Sequence, residues 1–190
     1  VAFKGKPEMG TFMREWTALY ESKSGERGIF NRQAAKVKAL ENGRRDADHY
    51  FGCNPCSEII LRPYQFCNLT EVVARESDTY ETLKEKVRMA TILGTFQSTL
   101  TDFKYLRKIW KDNTEEERLL GVSLTGILDC PALNHNYFEL EDVLRDLKEV
   151  AIETNKKVAK ELGIPQSTAI TCIKPSGTVS QLVDSASGIH

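Results

Sequence analysis

Three cysteines, one amide and one carboxylate lie within the fifteen residues from Cys53 to Cys67. If this segment is extended, Asn54, Cys56 and Glu58 occupy every second position, so their side chains point to one face. Such a row could hold a polyhydroxylated substrate, because an amide binds hydroxyl groups, a carboxylate accepts a proton and a thiol performs hydrogen or nucleophile chemistry. Cys67 follows Cys56 by eleven positions and is predicted to return on an adjacent strand, with its sulfur opposite the first.

Two other chemistries compete for the same thiols. A zinc site would use His49, Cys53, Cys56 and Cys67, but Cys67 stands alone after a strand-like segment instead of in a second tight pair. A disulfide oxidoreductase would use the pair Cys53 and Cys56, which requires the start of a helix to activate the first thiol. Pro63 interrupts any helix there, so the sequence favours the catalytic strand and predicts no metal site.

A second candidate site follows the predicted strand 168–173. The chain turns there at a proline and enters a predicted helix, whose free N–H groups and neighbouring hydroxyl groups can cradle an anion. The Gly-Lys-Ser/Thr ending of a Walker loop is absent, and an ordinary helix N-cap is the alternative. Next to the Asn-Cys-Glu row, which would bind ribose, the loop is predicted to bind phosphate. Its predicted phosphate-binding residues are Ser176, Gly177, Thr178, Val179 and Ser180.

The composition describes a globular chain able to bury a core, with 41% hydrophobic and 28% charged residues among 190. Twenty-six basic and 27 acidic residues give a net charge of -1, so no positive field recruits nucleic acid or an anionic membrane. No apolar run approaches the roughly 20 residues of a membrane-spanning helix. Five cysteines are too few for a disulfide framework, so we expect a cytoplasmic protein with reduced thiols. Because the chain starts without Met and stops in a small-residue turn, we expect residues 1–190 to be an internal fragment of a single domain.

The elements that must position these residues alternate between helices and short strands. Helices are predicted over 11–20, 32–40, 79–101, 115–128 and 137–162, and strands over 58–61, 66–69 and 168–173. The strands are apolar runs without alternation, which is typical of strands that are covered on both faces. The sequence therefore predicts an α/β domain in which parallel strands are buried under helices.

The remaining conspicuous side chains are predicted to have structural roles. Cys53 is interpreted as a small buried residue, and Cys130 and Cys172 as core thiols, because their surroundings are apolar. Arg44 and Arg45 could contact a phosphate, but the turn residues around them favour a solvated loop.

The motifs resemble those of the large catalytic subunit of the ribonucleotide reductases, whose finger loop carries an Asn-x-Cys-x-Glu motif. Two further similar segments follow in the family's order, 66-FCNLTEV-72 and 174-KPSGTVSQL-182. The interval from Cys56 to Cys67 is similar to that of the adenosylcobalamin-dependent (class II) ribonucleoside-triphosphate reductases. The resemblance extends from about Tyr50 onward. It implies that residues 1–190 are part of the catalytic domain, a ten-stranded α/β barrel with a central finger loop, like that of the glycyl-radical enzymes.

The resemblance also implies a role for each residue of the first site. A radical derived from adenosylcobalamin would take a hydrogen atom from Cys56, and the resulting thiyl radical would abstract the ribose 3′-hydrogen. Glu58 would accept the 3′-hydroxyl proton as general base, while Asn54 would hold the hydroxyl groups in register. Cys67 would deliver reducing equivalents together with a partner thiol that precedes this chain, and would end as a disulfide.

The implied activity is the reduction of ribonucleotides to 2′-deoxyribonucleotides for DNA synthesis. The implied partners are a ribonucleotide substrate, a nucleotide effector and an external dithiol reductant such as a thioredoxin-like protein, with no nucleic acid and no membrane. The complete protein would be a monomer or a homodimer. Two alternatives stay open: a class I-like diphosphate reductase that takes its radical from a partner subunit, and a non-catalytic nucleotide-binding module.

Overall fold

The computed structural model of this protein describes residues 5–24, 28–41, 43–134 and 137–188. The chain divides into two compact units, residues 1–31 and residues 32–190. The first unit contains helix α1 (Met9–Ser22), which is capped at its start by the Glu8 carboxylate and ends at Lys23 in the left-handed region. The helix predicted over 11–20 is therefore confirmed, with two more residues at each end.

The second unit alternates helices and short strands, as predicted. Its elements are α2 (Arg32–Leu40), β1 (Gly52–Cys53), β2 (Ile60–Leu61), β3 (Asn68–Val73), α3 (Tyr80–Gln97), α4 (Lys108–Glu117), β4 (Leu120–Thr125), α5 (Pro131–Asn134), α6 (Tyr137–Leu162) and α7 (Val179–Leu182). The helices predicted over 32–40 and 137–162 have the observed bounds, and the helix predicted over 79–101 spans 80–97. Among the described residues, no helix is both long and apolar enough to cross a membrane.

The central sheet is parallel, and β4 lies in its middle. Strand β3 pairs with β4 along six residues, from Asn68 opposite Leu120 to the last residue of each strand. Residues 169–172 run along the other edge of β4, where the Val122 N–H donates to the Ile170 carbonyl at 2.8 Å and the Cys172 N–H donates to the Val122 carbonyl at 3.0 Å. The strand predicted over 168–173 is thus extended beside β4, although only a single bridge links them.

The helix predicted over 115–128 is wrong. Helix α4 ends at Glu117, Arg118 adopts a left-handed conformation (φ 44), and the six residues of β4 that follow are all buried. A central strand covered on both faces shows no alternation of apolar and polar residues, so periodicity did not separate it from the end of the preceding helix. Gly121 is a poor helix former, and the β-branched Val122 and Thr125 favour a strand, so these residues are the local signal against a continued helix.

One face of the sheet is the apolar core. Alternate residues of a strand point to opposite faces, and on this face the strand residues pack against α3 and α6. The buried core residues of this face and its helices include Val72, Leu120, Val122, Leu124, Leu83, Val87, Leu147 and Ala151. The intervening residues of β4, Gly121 and Ser123 among them, therefore face the opposite side, where the Sγ atom of Cys172 lies 3.1 Å from a Cβ atom built on Gly121.

A buried ion pair links the segments that support this opposite side. The Arg45 guanidinium donates to both carboxylate oxygens of Glu117, each at 2.9 Å, and both side chains are 4% exposed. Arg45 also donates to the carbonyl of Ile60 in β2 at 2.8 Å. The prediction that Arg45 lies in a solvated loop is wrong, because its partner is 72 residues away and no local pattern reveals it.

A second layer of polar contacts surrounds this pair. The Gln65 amide donates to the Glu117 carboxylate, and Arg62, itself buried, donates to Asn113 at 2.9 Å and pairs with Glu116. These contacts join the segment between β2 and β3 to helix α4. The hairpin and the segment that follows it are therefore held to α4 by charged and amide groups.

Removal of Arg45 is expected to unfold this region. In Arg45→Met, Glu117 keeps a buried carboxylate without its cation, which costs about 3–5 kcal/mol. The control is Lys108→Met, which breaks an exposed pair with Asp112 and should cost less than about 1 kcal/mol. Urea denaturation measures both free energies of unfolding, and equal losses in the two variants would contradict the importance of the buried pair.

Candidate active site

The first candidate site is the tip of a β-hairpin. Strands β1 and β2 pair antiparallel, with Cys53 opposite Ile60, and residues 54–59 form the tip between them. The Asn54 carbonyl accepts from the Ser57 N–H at 3.0 Å, which closes a tight turn. The Asn54 side-chain oxygen accepts from the Ile59 N–H at 3.0 Å, so the amide helps to fix the tip.

The predicted extended row of Asn54, Cys56 and Glu58 is wrong. The backbone turns between Asn54 and Ser57, and Ser57 has a φ of 63°, so the three side chains do not share one face. The signal was in the sequence, because asparagine followed by proline favours a turn. The consequence is a division of environments: Cys56 is exposed at the tip, whereas Glu58 turns inward.

The hairpin tip packs on the sheet at Gly121, the residue of β4 that has no side chain. A Cβ atom built on Gly121 would lie 2.4 Å from Cδ2 of Leu69, 3.1 Å from Sγ of Cys172 and 3.1 Å from Cδ1 of Ile59. Three segments therefore meet above this glycine: β3, the hairpin, and residues 169–172, which run along the other edge of β4. Their close approach brings the hairpin tip onto the face of the sheet opposite α3.

Glu58 is the buried carboxylate of this cluster. Its side chain is 3% exposed, and neither of its oxygens has a hydrogen-bond partner in the described part of the chain. The ammonium of Lys174 lies 3.7 Å from its Oε1 atom, an ion-pair distance that is longer than a hydrogen bond. The carboxylate thus keeps its acceptor capacity for another group.

Two thiols share the surroundings of Glu58. Burial raises the pKa of the Cys67 thiol, the negative charge of Glu58 raises it further, and Lys174 opposes both. Burial also raises the pKa of Cys172 to about 12, with Glu58 and Cys67 adding to the effect. Both groups therefore remain S–H at neutral pH.

The cysteine predictions have mixed outcomes. Cys130 is fully buried, as predicted. Cys172 is not a simple core thiol, because it lies in the same cluster as Glu58 and Cys67; its position two residues before Lys174, on the same face of an extended segment, was the available signal. Cys53 is half-buried, with its sulfur 3.5 Å from the Ser57 hydroxyl. Across the described ranges, no three His, Cys, Asp or Glu side chains are arranged to hold a metal ion.

The second candidate site is the turn before α7. Ser176 adopts a φ of 58°, and the Ser180 hydroxyl and N–H both donate to its carbonyl. The side chains of Ser176 and Ser180 are buried, whereas Gly177 and Thr178 are exposed. In the part of the chain that the structure describes, the N–H groups of residues 177–179 donate to no protein acceptor.

The residues after α7 fasten this turn to the carboxyl ends of the strands. The Gly126 N–H donates to the Ala186 carbonyl at 2.8 Å, and the Gly188 N–H donates to the Pro175 carbonyl at 3.1 Å. A Cβ atom on Gly188 would lie only 1.9 Å from the Lys174 carbonyl oxygen. Because ligands of parallel sheets bind at the carboxyl ends of the strands, the turn lies at a suitable edge for a substrate.

Comparisons with known proteins show the relationships of this chain. No protein-family model matches it. The adenosylcobalamin-dependent ribonucleoside-triphosphate reductase of Lacticaseibacillus paracasei is 29% identical over 91% of this chain and 26% of its own length. The proteins of the same name from Lactobacillus leichmannii and Euglena gracilis are 25% and 28% identical, over 100% and 78% of this chain and over 28% and 20% of their own lengths. The chain is related to the adenosylcobalamin-dependent ribonucleotide reductases.

The fold agrees with this relationship. A crystal structure of a B-12 dependent (class II) ribonucleotide reductase superposes on the chain with a TM-score of 0.59 and 23% identity, over 73% of this chain and 22% of that one. The chain spans about a quarter of the length of the curated reductases that it matches. About three quarters of the chain thus shares the fold of one part of that reductase.

Gly121 is expected to be essential for seating the hairpin. Gly121→Ala introduces a methyl group into the contact of Leu69, Cys172 and Ile59 and should destabilise the protein by about 1–3 kcal/mol. The control is Gly52→Ala in β1, where a Cβ atom would meet nothing within 4 Å, and a loss below about 0.5 kcal/mol is expected. Urea denaturation provides the comparison, and a Gly121→Ala variant as stable as the control would disprove the close packing.

Proposed function

We propose that this chain is part of the catalytic barrel of an adenosylcobalamin-dependent ribonucleoside-triphosphate reductase, which converts ribonucleotides to 2′-deoxyribonucleotides by thiyl-radical chemistry. One observation carries the proposal. An exposed thiol, Cys56, stands at a hairpin tip two residues from a buried carboxylate, Glu58, whose surroundings include two protonated thiols. The names of the relatives support the same activity.

Cys56 is the residue of this chain that suits the cofactor. Adenosylcobalamin, when bound, supplies the radical that removes a hydrogen atom from a thiol. Cys56 is exposed whereas Cys67 and Cys172 are partly buried, so Cys56 is the sulfur of these three that such a radical would reach. Once it has lost its hydrogen atom, Cys56 would be a thiyl radical that takes the ribose 3′-hydrogen.

Glu58 has the properties of the general base. Both of its oxygens lack a hydrogen-bond donor among the described residues, so a ribose hydroxyl can donate to them. Acceptance of the 3′-hydroxyl proton by the carboxylate favours loss of the 2′-hydroxyl as water. The side-chain oxygen of Asn54 accepts from the Ile59 N–H, so its amide N–H groups remain to hold the substrate hydroxyl groups.

Cys67 supplies hydrogen as a thiol. Its raised pKa keeps the S–H group intact at neutral pH, so it can give a hydrogen atom to the substrate radical. In the whole reaction two thiols become one disulfide, and the 2′-hydroxyl leaves as water. An external dithiol, such as a thioredoxin-like protein, then reduces this disulfide.

Cys172 is a poor disulfide partner for Cys67, in spite of its proximity. The registers set Cys67 beside Leu119 and Cys172 beside Ser123 on opposite sides of β4. Four residues along a strand separate these levels by about 13 Å, whereas a disulfide needs Cα atoms within about 7 Å. Cys172 is therefore not proposed as the disulfide partner of Cys67.

The turn at residues 176–180 is proposed to hold the substrate phosphates. Its exposed part, Gly177 and Thr178, presents N–H groups that have no protein acceptor in the described ranges, and backbone N–H groups bind anions well. The buried Ser176 and Ser180 serve to shape the turn. We also propose the remaining features of the complete enzyme: the ten-stranded barrel, a nucleotide effector, a cytoplasmic location and a monomeric or homodimeric state.

Substitution of the two cysteines separates their roles in the full-length protein. Cys56→Ser should abolish both turnover and exchange of the ribose 3′-hydrogen, because an alcohol O–H bond is too strong to relay a radical. Cys67→Ser should retain 3′-hydrogen exchange but fail to complete reduction. Deoxynucleotide formation and loss of label from 3′-tritiated substrate provide the two measurements, and equal loss of exchange in both variants would refute the division of roles.

The phosphate turn is tested with Gly177→Val. Apart from its two chain neighbours, no described residue has an atom within 4 Å of a Cβ at this position, so the variant should fold normally while its side chain obstructs a bound phosphate. Nucleotide affinity should fall at least about tenfold, whereas affinity for the nucleoside without phosphates should not change. Equilibrium binding measures both ligands, with Thr178→Ala as the milder variant at about 1 kcal/mol. Unchanged nucleotide affinity in Gly177→Val would mean that the phosphates bind elsewhere.

A further inference from the structure

Glu58, Cys67 and Cys172 form a cluster with a charged residue, Lys174, to which the proposed reaction gives no role. Lys174 is half-buried, with 29% of its side chain exposed, and its ammonium lies 3.7 Å from Glu58 Oε1. Among the described residues, it is the one cation that forms an ion pair with Glu58. It also immediately precedes the turn proposed to bind phosphate.

The backbone of Lys174 is fixed from two sides. Its N–H donates to the hydroxyl of Ser123 at 2.8 Å, and Ser123 is a buried residue of β4. Its carbonyl is covered by Gly188, which has no room for a Cβ atom. The starting point of the side chain is therefore set by the sheet on one side and by the chain after α7 on the other.

Because Glu58 is buried, the positive charge of Lys174 stabilises its carboxylate. A carboxylate that is 3% exposed and that has no hydrogen-bond donor within the described ranges is costly to bury unless an opposite charge lies nearby. A general base must nevertheless be ionised before it can accept a proton. Lys174 meets both requirements, because at 3.7 Å it attracts the charge without occupying the acceptor sites by a hydrogen bond.

We propose that Lys174 is a positioning residue that balances the charge of the Glu58 carboxylate and orients it beside the thiols. This inference rests on the proposed reductase activity, in which Glu58 is the base. Lys174 acts through Glu58 and undergoes no chemical change itself. The two proposed functional regions of the chain are thereby linked. Lys174 contacts Glu58, the proposed general base at the hairpin tip, and immediately precedes the turn proposed to hold phosphate.

The thiols report the charge of this cluster independently of turnover. Cys67 is faced by Glu58, which disfavours its thiolate, and by Lys174, which favours it; Cys172 is faced by the same two groups and by Cys67. Loss of Lys174 should therefore shift the alkylation of Cys67 to higher pH, and loss of the Glu58 charge should shift it to lower pH.

The experiment uses four variants of the full-length protein: Lys174→Met, Lys174→Arg, Glu58→Gln and Lys157→Met. Iodoacetamide labelling of Cys67 is followed by mass spectrometry between pH 7 and 11 without nucleotide. Lys174→Met should move the midpoint upward and Glu58→Gln should move it downward. Lys174→Arg should retain the wild-type midpoint because it keeps the charge, and Lys157→Met, an exposed lysine of α6, is the matched control.

Steady-state kinetics then test the link to catalysis. Lys174→Met should lower kcat by about 100-fold, the lower range for general-base effects, with less than about a threefold change in KM. Lys174→Arg should recover most of kcat. A Lys174→Met variant with an unchanged Cys67 midpoint, or with wild-type kcat, would overturn the inference. If the wild-type protein does not reduce ribonucleotides, the proposed function fails, whereas the labelling still decides whether Lys174 controls the charge of the cluster.

Discussion

The buried ion pair of Arg45 and Glu117 is the interaction on which the site depends. The hairpin pairs only two residues of each strand, and such a short ribbon is marginally stable by itself. Arg45 binds the Ile60 carbonyl while its charge is neutralised at the end of α4, just before the central strand begins. Because both charges are costly to bury alone, the hairpin, the loop after α2 and α4 must assemble together.

The sheet separates stability from chemistry by its two faces. One face buries aliphatic side chains against α3 and α6, which supplies hydrophobic stabilisation. The other face carries Gly121 and Ser123 together with Cys67, Cys172 and Lys174, and is covered by the hairpin. Polar and reactive groups can therefore be arranged on this face without disturbing the core, although β4 must contribute to both.

The sequence predicts best what is encoded locally. The bounds of α2 and α6 follow from helical periodicity, and Gly163 with Pro165 marks the end of α6. The fully buried β4 has no such periodicity. At the hairpin tip, the period-two spacing of Asn54, Cys56 and Glu58 indicates a strand, whereas the Asn-Pro pair indicates the turn that forms there. The contacts of Arg45 with Glu117 and of Glu58 with Lys174 join residues far apart in sequence, so they depend on strand register, which no local pattern specifies. The motifs therefore selected the candidate residues, but not their separate environments.

The protonated state of the two inner thiols has a consequence for their oxidation. Peroxides and electrophiles attack thiolates much faster than thiols, and burial beside a carboxylate keeps Cys67 and Cys172 in the thiol form. A radical abstracts hydrogen from S–H and has no need of the thiolate. The same electrostatic environment thus slows oxidation of the two inner sulfurs and leaves their S–H bonds available for hydrogen transfer. The exposed Cys56 is the sulfur of these three that should be oxidised first.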